Sequence, residues 1–163
     1  MIFDPAVADA AAKAGEGERF IAHFNQQENV RFSEPYSGEV VVEKLLDIPC
    51  VGRRGIYAGR QVDLGSCALL DLQGIRILVV SRRHQCADPI FLERMGVDLA
   101  TVRVLIIKSR GHFRAGFDEY FQPEQIIEVD APGLTTPDLE KLELDRVPRP
   151  IYPLDKTMEW APA

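Results

Sequence analysis

Long apolar runs are missing from this sequence: nothing approaches the ~18 consecutive apolar residues of a membrane-crossing helix, so no membrane span is expected. The N-terminus lacks a charged segment leading into an apolar one, so no secretory signal is expected either. Cysteine is scarce. Cys50, Cys67 and Cys86 are odd in number and far apart, which excludes a disulfide framework and points to the reduced cytoplasm. A broad basic excess is also absent: the net charge is −6 and the pI about 5.1, which argues against nucleic acid as a partner. There is no internal repeat, and no low-complexity segment beyond an alanine run. What is present is 163 residues at 46% apolar composition, enough for one globular domain with a full core.

The chain is organised around Ile75 to Phe117. Two short apolar runs rich in β-branched residues, Ile75–Val80 and Val102–Ile107, read as buried strands. Between them Asp88 is placed to cap a helix, Pro89 to begin it and Gly96 to stop it. This pattern predicts a right-handed βαβ crossover. A helix over His112–Tyr120, with Phe113, Phe117 and Tyr120 or Phe121 facing the core, and a strand over Gln125–Val129 extend it to βαβαβ. The expected fold class is therefore α/β with mixed α+β character: a mixed sheet, flanking helices and an extended Pro-rich tail from Ala131 onward.

The remaining elements follow local signals. Asp4-Pro5 opens an alanine-rich helix that runs to about Gly15 and packs through small residues. Glu18–Phe24 reads as a strand in which His23 is structural, Asn25–Ser37 as a loop, and Glu39–Ile48 as a strand with a bulge or turn near Lys44. Val51–Gly65 holds four glycines among three arginines; it fits a hairpin connection, or a loop that approaches a ligand. Ser66–Leu72 and Ile75–Val80 form a hairpin turning at Gln73-Gly74. In the tail, one helical turn is expected after Pro137, and Ile151, Tyr152, Leu154 and Trp160 are expected to pin the chain by burial.

Both organising strands end in cationic text, Ser81-Arg82-Arg83-His84-Gln85 and Lys108-Ser109-Arg110-Gly111-His112-Phe113-Arg114. Between Arg76 and Arg114 eight Lys/Arg face three Asp/Glu, a local net of +5 inside an acidic chain. Ligands of open parallel sheets bind at the carboxyl ends of strands, and helix N-termini there favour anions. The two readings are an anion or carboxylate site and solvated cations paired with the acidic remainder.

Spacing narrows the chemistry. His84, Cys86 and Asp88 are competent metal ligands, yet no His-Glu-x-x-His or paired Cys-x-x-Cys is present, and Arg82, Arg83 and Arg110 would repel a cation. No Gly-x-Ser-x-Gly elbow accompanies Ser81 or Ser109, and Gly52-Arg53-Arg54-Gly55 lacks the ending of a phosphate loop. No metal site is assigned to this chain. What survives is a binding constellation of Arg82, Gln85, Lys108, His112 and Arg114. It is suited to a carboxylate or peptide, because guanidinium groups fork onto carboxylates while Gln and His hold amides.

At these residues the sequence resembles a known family. Ser81-Arg82-Arg83-x-Gln85-x-x-Asp88-Pro89, Lys108-Ser109-x-x-His112-Phe113-Arg114-Ala115, Val129-Asp130-Ala131-Pro132-Gly133 and Arg149-Pro150-Ile151-Tyr152-Pro153-Leu154-Asp155 are similar to the C-terminal domain of the microcystinase C (MlrC) metallopeptidases. Gly55-x-Tyr57-x-Gly59, Asp63-x-Gly65 and Ile2-x-Asp4-Pro5 add to the likeness, whereas Phe20–Tyr36 departs from it by lacking glycine. The resemblance implies a bacterial, zinc-dependent peptide or amide hydrolase of two domains, whose zinc ligands lie in an N-terminal domain not contained in this sequence. On that view residues 1–163 are a single MlrC C-terminal-like domain that binds no cofactor itself. His112 would hold or protonate the scissile group, and Arg82, Gln85, Lys108 and Arg114 would grip a peptide or small carboxylate substrate. The isolated chain would be inactive. The alternative is a stand-alone, non-catalytic module that binds a ligand or protein on the same scaffold.

Overall fold

A computed structural model describes residues 1–26, 33–47, 49–109, 111–131, 139–142, 144–152 and 154–155. It divides into two compact units, Met1–Val30 with Glu34–Glu128, and Arg31–Ser33 with Val129–Ala163. The first unit is built on a five-stranded sheet. In chain order its strands are β1 (Ile2–Phe3), β2 (Arg19–Phe24), β3 (Tyr36–Leu46), β6 (Cys67–Leu72) and β7 (Ile75–Val80). Their spatial order is β1-β7-β6-β3-β2, with β1 parallel to β7 and every other pair antiparallel. The expected mixed sheet with α+β character is therefore present. No helix among the described residues is long and apolar enough to cross a membrane.

The two central strands are buried on both faces, which explains their unbroken apolar text. Because side chains alternate along a strand, Ala68, Leu70 and Val79 face one layer while Cys67, Leu69, Leu78 and Val80 face the other. The first layer contains helix α1 (Pro5–Ala14), whose Val7, Ala8 and Ala11 are nearly or fully buried against the sheet. Small side chains let this helix lie close, as its composition predicts. Asp4 caps it by accepting from the Val7 amide at 3.2 Å and also accepts from the Asn25 amide at 2.9 Å, tying helix to β2. Leu70 is fully enclosed here, and its truncation to alanine would cost about 2–5 kcal/mol.

Several local signals produced the expected geometry. The β6–β7 hairpin turns on Gln73 (φ +52°) and Gly74 (φ +90°), the left-handed pair that a two-residue turn requires. The register of β3 slips between Val42 and Lys44, and Glu16 fills the irregularity by accepting from the Leu45 amide at 2.7 Å. The glycine-rich segment is a hairpin connection: β4 (Cys50–Val51) pairs with β5 (Gln61–Val62). His23 is structural, its Nδ1 lying 2.7 Å from Ser37 Oγ across the β2–β3 pair.

The second layer departs from expectation. Helix α2 (Ile90–Glu93) and helix α3 (Arg114–Phe117) are single turns, so neither carries the dipole expected at the strand ends. Val102–Ile107 and Gln125–Val129 join no sheet among the described residues, and the βαβαβ unit is not formed from them. The parallel partner of β7 is β1, from the start of the chain. Val102, Leu105 and Ile107 still pack on the core, while Val104 and Ile106 are 76% and 82% exposed. The segment is extended and sided like a strand, but no described strand lies beside it.

In the second unit a short turn spans Leu139–Lys141, matching the helical turn expected after Pro137. Burial does not pin the rest in the expected way. Tyr152 is 81% exposed, Ile151 and Leu154 are only half-buried, and Trp160 lies outside the described residues, as do Pro132, Pro137, Pro153 and Pro162. Polar contacts hold this stretch instead. Asp155 accepts from the Ile151 amide at 2.6 Å and from Arg149 at 3.1 Å, and those donors hold its carboxyl below the usual range.

Candidate functional site

The two cation-bearing segments meet at one contact. Gln85 Oε1 lies 2.9 Å from His112 Nδ1. A carbonyl oxygen can only accept, so Nδ1 is the donor in this contact and Nε2 is the ring nitrogen it leaves unused. Both side chains are exposed, so Nε2 is available at the surface.

Three features position this pair. Tyr57 takes a hydrogen bond on its hydroxyl from the Gln85 amide at 3.3 Å, and its ring stands edge-on to His84 and to buried Phe91. Asp88, fully buried, gathers backbone amides: Oδ2 accepts from Arg53 at 2.6 Å and Arg54 at 2.8 Å, and Oδ1 from Ile90 at 3.0 Å. That carboxylate fastens the 52–57 loop to the start of α2. Finally, Gly55 and Gly116 let backbones touch. A Cβ on Gly116 would sit 2.3 Å from the Ala87 carbonyl oxygen, and one on Gly55 would sit 3.3 Å from the same atom. The loop glycines thus serve close contact between backbone segments. Tyr57 and Asp88 are the positioning residues that sequence reasoning did not assign to the site; the Gly55-x-Tyr57-x-Gly59 spacing was the available signal for the first.

The expected cations divide by partner. Arg82 pairs with Asp63, and Arg114 pairs with Glu128 while its guanidinium lies 5.4 Å from the Phe113 ring centre. Arg83 sits over the Phe3 ring at 4.5 Å, and Arg76 pairs with Glu43 at 2.9 Å. The acidic remainder of the chain therefore neutralises much of the local excess. Lys108 is exposed and has no partner among the described residues, and neighbouring Ser109 Oγ is buried with none. Arg110 lies outside the described residues. Behind the rim, Arg53 binds Glu93 at 2.6 Å and also Glu119, while Arg54 binds Asp118; the Arg53 guanidinium holds the Glu119 carboxyl below its usual range.

Among the described residues no three His, Cys, Asp or Glu side chains come together as ligands would. His112 and His23 have Nδ1 engaged, and all three cysteines are buried. Two concavities stand out, one lined by Leu46, Cys50, Leu64, Cys67, Phe91, Arg94 and Met95, the other beside Ala8, Ala12 and Asp47. Neither includes Gln85 or His112.

Comparison with known proteins gives a family and a structural relative. The family model described as the MlrC C-terminus matches residues 1–146. A protein from Mesorhizobium sp. BNC1, described provisionally as a metallopeptidase in its 2.13 Å crystal structure, superposes with a TM-score of 0.77 at 26% identity. The match covers 98% of this chain and 31% of that one, so the chain spans about a third of the length of this relative. No curated protein matches.

Proposed function

Because the chain belongs to the MlrC C-terminus family, we propose that it supplies the substrate-gripping rim of a zinc-dependent peptide or amide hydrolase whose metal is held by a separate N-terminal domain. The observation that carries this reading is the Gln85–His112 contact. It joins two segments 27 residues apart and leaves the second imidazole nitrogen of an exposed side chain available. The reading places the metal elsewhere because, among the described residues, no three His, Cys, Asp or Glu side chains cluster as ligands would.

Each rim residue then has a definite task. His112, oriented through Nδ1 by Gln85, uses Nε2 to hold or protonate the scissile amide group. Lys108, without a partner among the described residues, takes a substrate carboxylate. Arg82 and Arg114 reach the same kind of group by exchanging Asp63 and Glu128 for it. Exposed ion pairs are worth only about 0–1 kcal/mol, so this exchange costs little. The substrate class is a peptide or small carboxylate, and because Gln85, Lys108 and His112 are exposed, a second domain completes the cleft over them.

Calorimetric titration with a linear peptide bearing a free C-terminal carboxylate, and with its C-terminal amide, tests the assignment. Lys108→Ala and His112→Ala should each weaken carboxylate binding about tenfold, the loss of one charge-assisted hydrogen bond. Both should keep the melting temperature within about 2 °C, since both side chains are exposed. Equal binding of acid and amide forms would remove the carboxylate role. Zinc-dependent peptide hydrolysis by this chain alone would overturn the division of labour.

A further inference from the structure

We propose that Val102–Lys108 is the docking edge for the remainder of the longer polypeptide, which adds an extended apolar strand with acidic flanks against it. The inference rests on the two-domain reading above and locates the contact. From Val104 onward burial alternates as along a strand: Leu105 and Ile107 pack inward on the core, while Val104 and Ile106 are 76% and 82% exposed. Among the described residues, neither the N–H nor the C=O groups of Arg103 to Lys108 find a backbone partner. Extended backbone with one apolar face covered and the other bare offers both the hydrogen bonds and the pockets that strand addition uses.

Charge and length choose the occupant. The exposed run is bracketed by Arg103 and Lys108, neither with a partner among the described residues, so its complement is apolar in the middle and acidic at the ends. A second copy of the run carries the same two cations and no carboxylate, so it does not supply that complement. The Mesorhizobium relative supplies the alternative, since more than two-thirds of that chain lies outside the match. A strand arriving here would end beside Lys108, bringing the rest of the polypeptide to the rim.

The test is a chimera in which this chain replaces the matched 31% of the Mesorhizobium chain, read by amide hydrogen exchange against the chain alone. Exchange at Val104–Ile107 should slow at least about tenfold in the chimera. The double variant V104K/I106K should abolish that protection, because burying two β-branched side chains is worth about a hundredfold in affinity. Unchanged exchange in the chimera overturns the proposal. So does protection that grows with the concentration of the isolated chain, which would mean a second copy. If the chimera does not fold, V104K/I106K in the isolated chain still decides: a melting temperature within about 2 °C of the parent supports a bare face, and a larger fall overturns it. His112→Ala leaves this protection intact, so failure of docking and failure of the rim assignment are separable.

Discussion

Gly116→Ala probes whether the His112–Gln85 geometry is imposed by backbone packing. The added methyl would lie 2.3 Å from the Ala87 carbonyl oxygen, 3.1 Å from its carbon and 3.6 Å from Asp88 Cα. All three neighbours are backbone, and Ala87 and Asp88 are fully buried, so no flexible side chain can give way. Relief requires α3 to retreat by about 1 Å from the 87–88 segment, toward an ordinary carbon–oxygen contact. His112 precedes α3 and Gln85 precedes Ala87, so the same retreat stretches the 2.9 Å contact past the ~3.5 Å limit of a hydrogen bond. Overpacking costs about 1–3 kcal/mol, offset by the ~0.4–1 kcal/mol that Gly→Ala gains through the unfolded chain. A net loss of about 1–2 kcal/mol lowers the melting temperature by about 2–8 °C. Imidazole nitrogen NMR supplies the second readout: the parent holds the proton on Nδ1 of His112, and the variant loses that preference. Ala115→Gly is the control, because it weakens the same helix at an exposed position without touching Ala87. A Gly116→Ala protein with an unchanged melting temperature and an unchanged His112 ring would refute the packing argument.

Asp88→Asn should destabilise by about 3 kcal/mol in chemical denaturation, since an amide nitrogen facing the Arg53 and Arg54 N–H groups replaces an acceptor with a donor. Glu119→Gln tests the ion cluster. The Arg53 guanidinium lowers the Glu119 carboxyl below its ordinary value, so the parent gains stability above about pH 4.5 and loses it as pH falls through the folded-state value; the variant should show a smaller acid-side loss in unfolding curves at pH 7 and pH 3. Burial pushes the Cys67 thiol up to about 11, so alkylation of the folded protein by iodoacetamide should stay slow through pH 10. The native state holds that proton more tightly than the unfolded one, and stability should therefore fall between about pH 9 and pH 11, a fall that Cys67→Ala removes.

Much of the first unit is legible because its signals are local. Asp4-Pro5 and Gly15 bound α1, Gln73-Gly74 fixes a hairpin, and the mixed polarity near Lys44 marks the slip in β3. The double-sided burial of β6 and β7 is also written in their continuous apolar runs. Val102–Ile107 carries the same text as β7, and there the reading of strand pairing failed. Alternating β-branched residues report that a segment would fit a sheet; they do not report that a neighbour is at hand. Ladder partners are non-local, and β7 found its parallel neighbour in two residues at the chain's start. The arginines of the glycine-rich loop were ambiguous for a related reason: their partners Glu93, Asp118 and Glu119 lie 40 or more residues away.

The candidate site was half legible, and the division has a physical basis. Residue type alone suggested that Arg82, Lys108 and Arg114 could bind an anion, but charge attracts the chain's own carboxylates as readily as a ligand's. The structure gives two of the three to Asp63 and Glu128. Such exposed pairs are weak and exchangeable, so they cannot set the geometry of a site. What sets it is close-packed and hydrogen-bonded to backbone: the bare Cα of Gly116 against Ala87, the Asp88 carboxylate closed over three amides, and Tyr57 beneath the Gln85 amide. A ligand grip built this way separates its functions. Rigid backbone contacts hold the His112–Gln85 pair in register, while long cationic side chains at the rim remain free to change partners. Substitutions at the packed node should therefore alter the chemistry of His112, and substitutions among the rim cations should alter affinity alone.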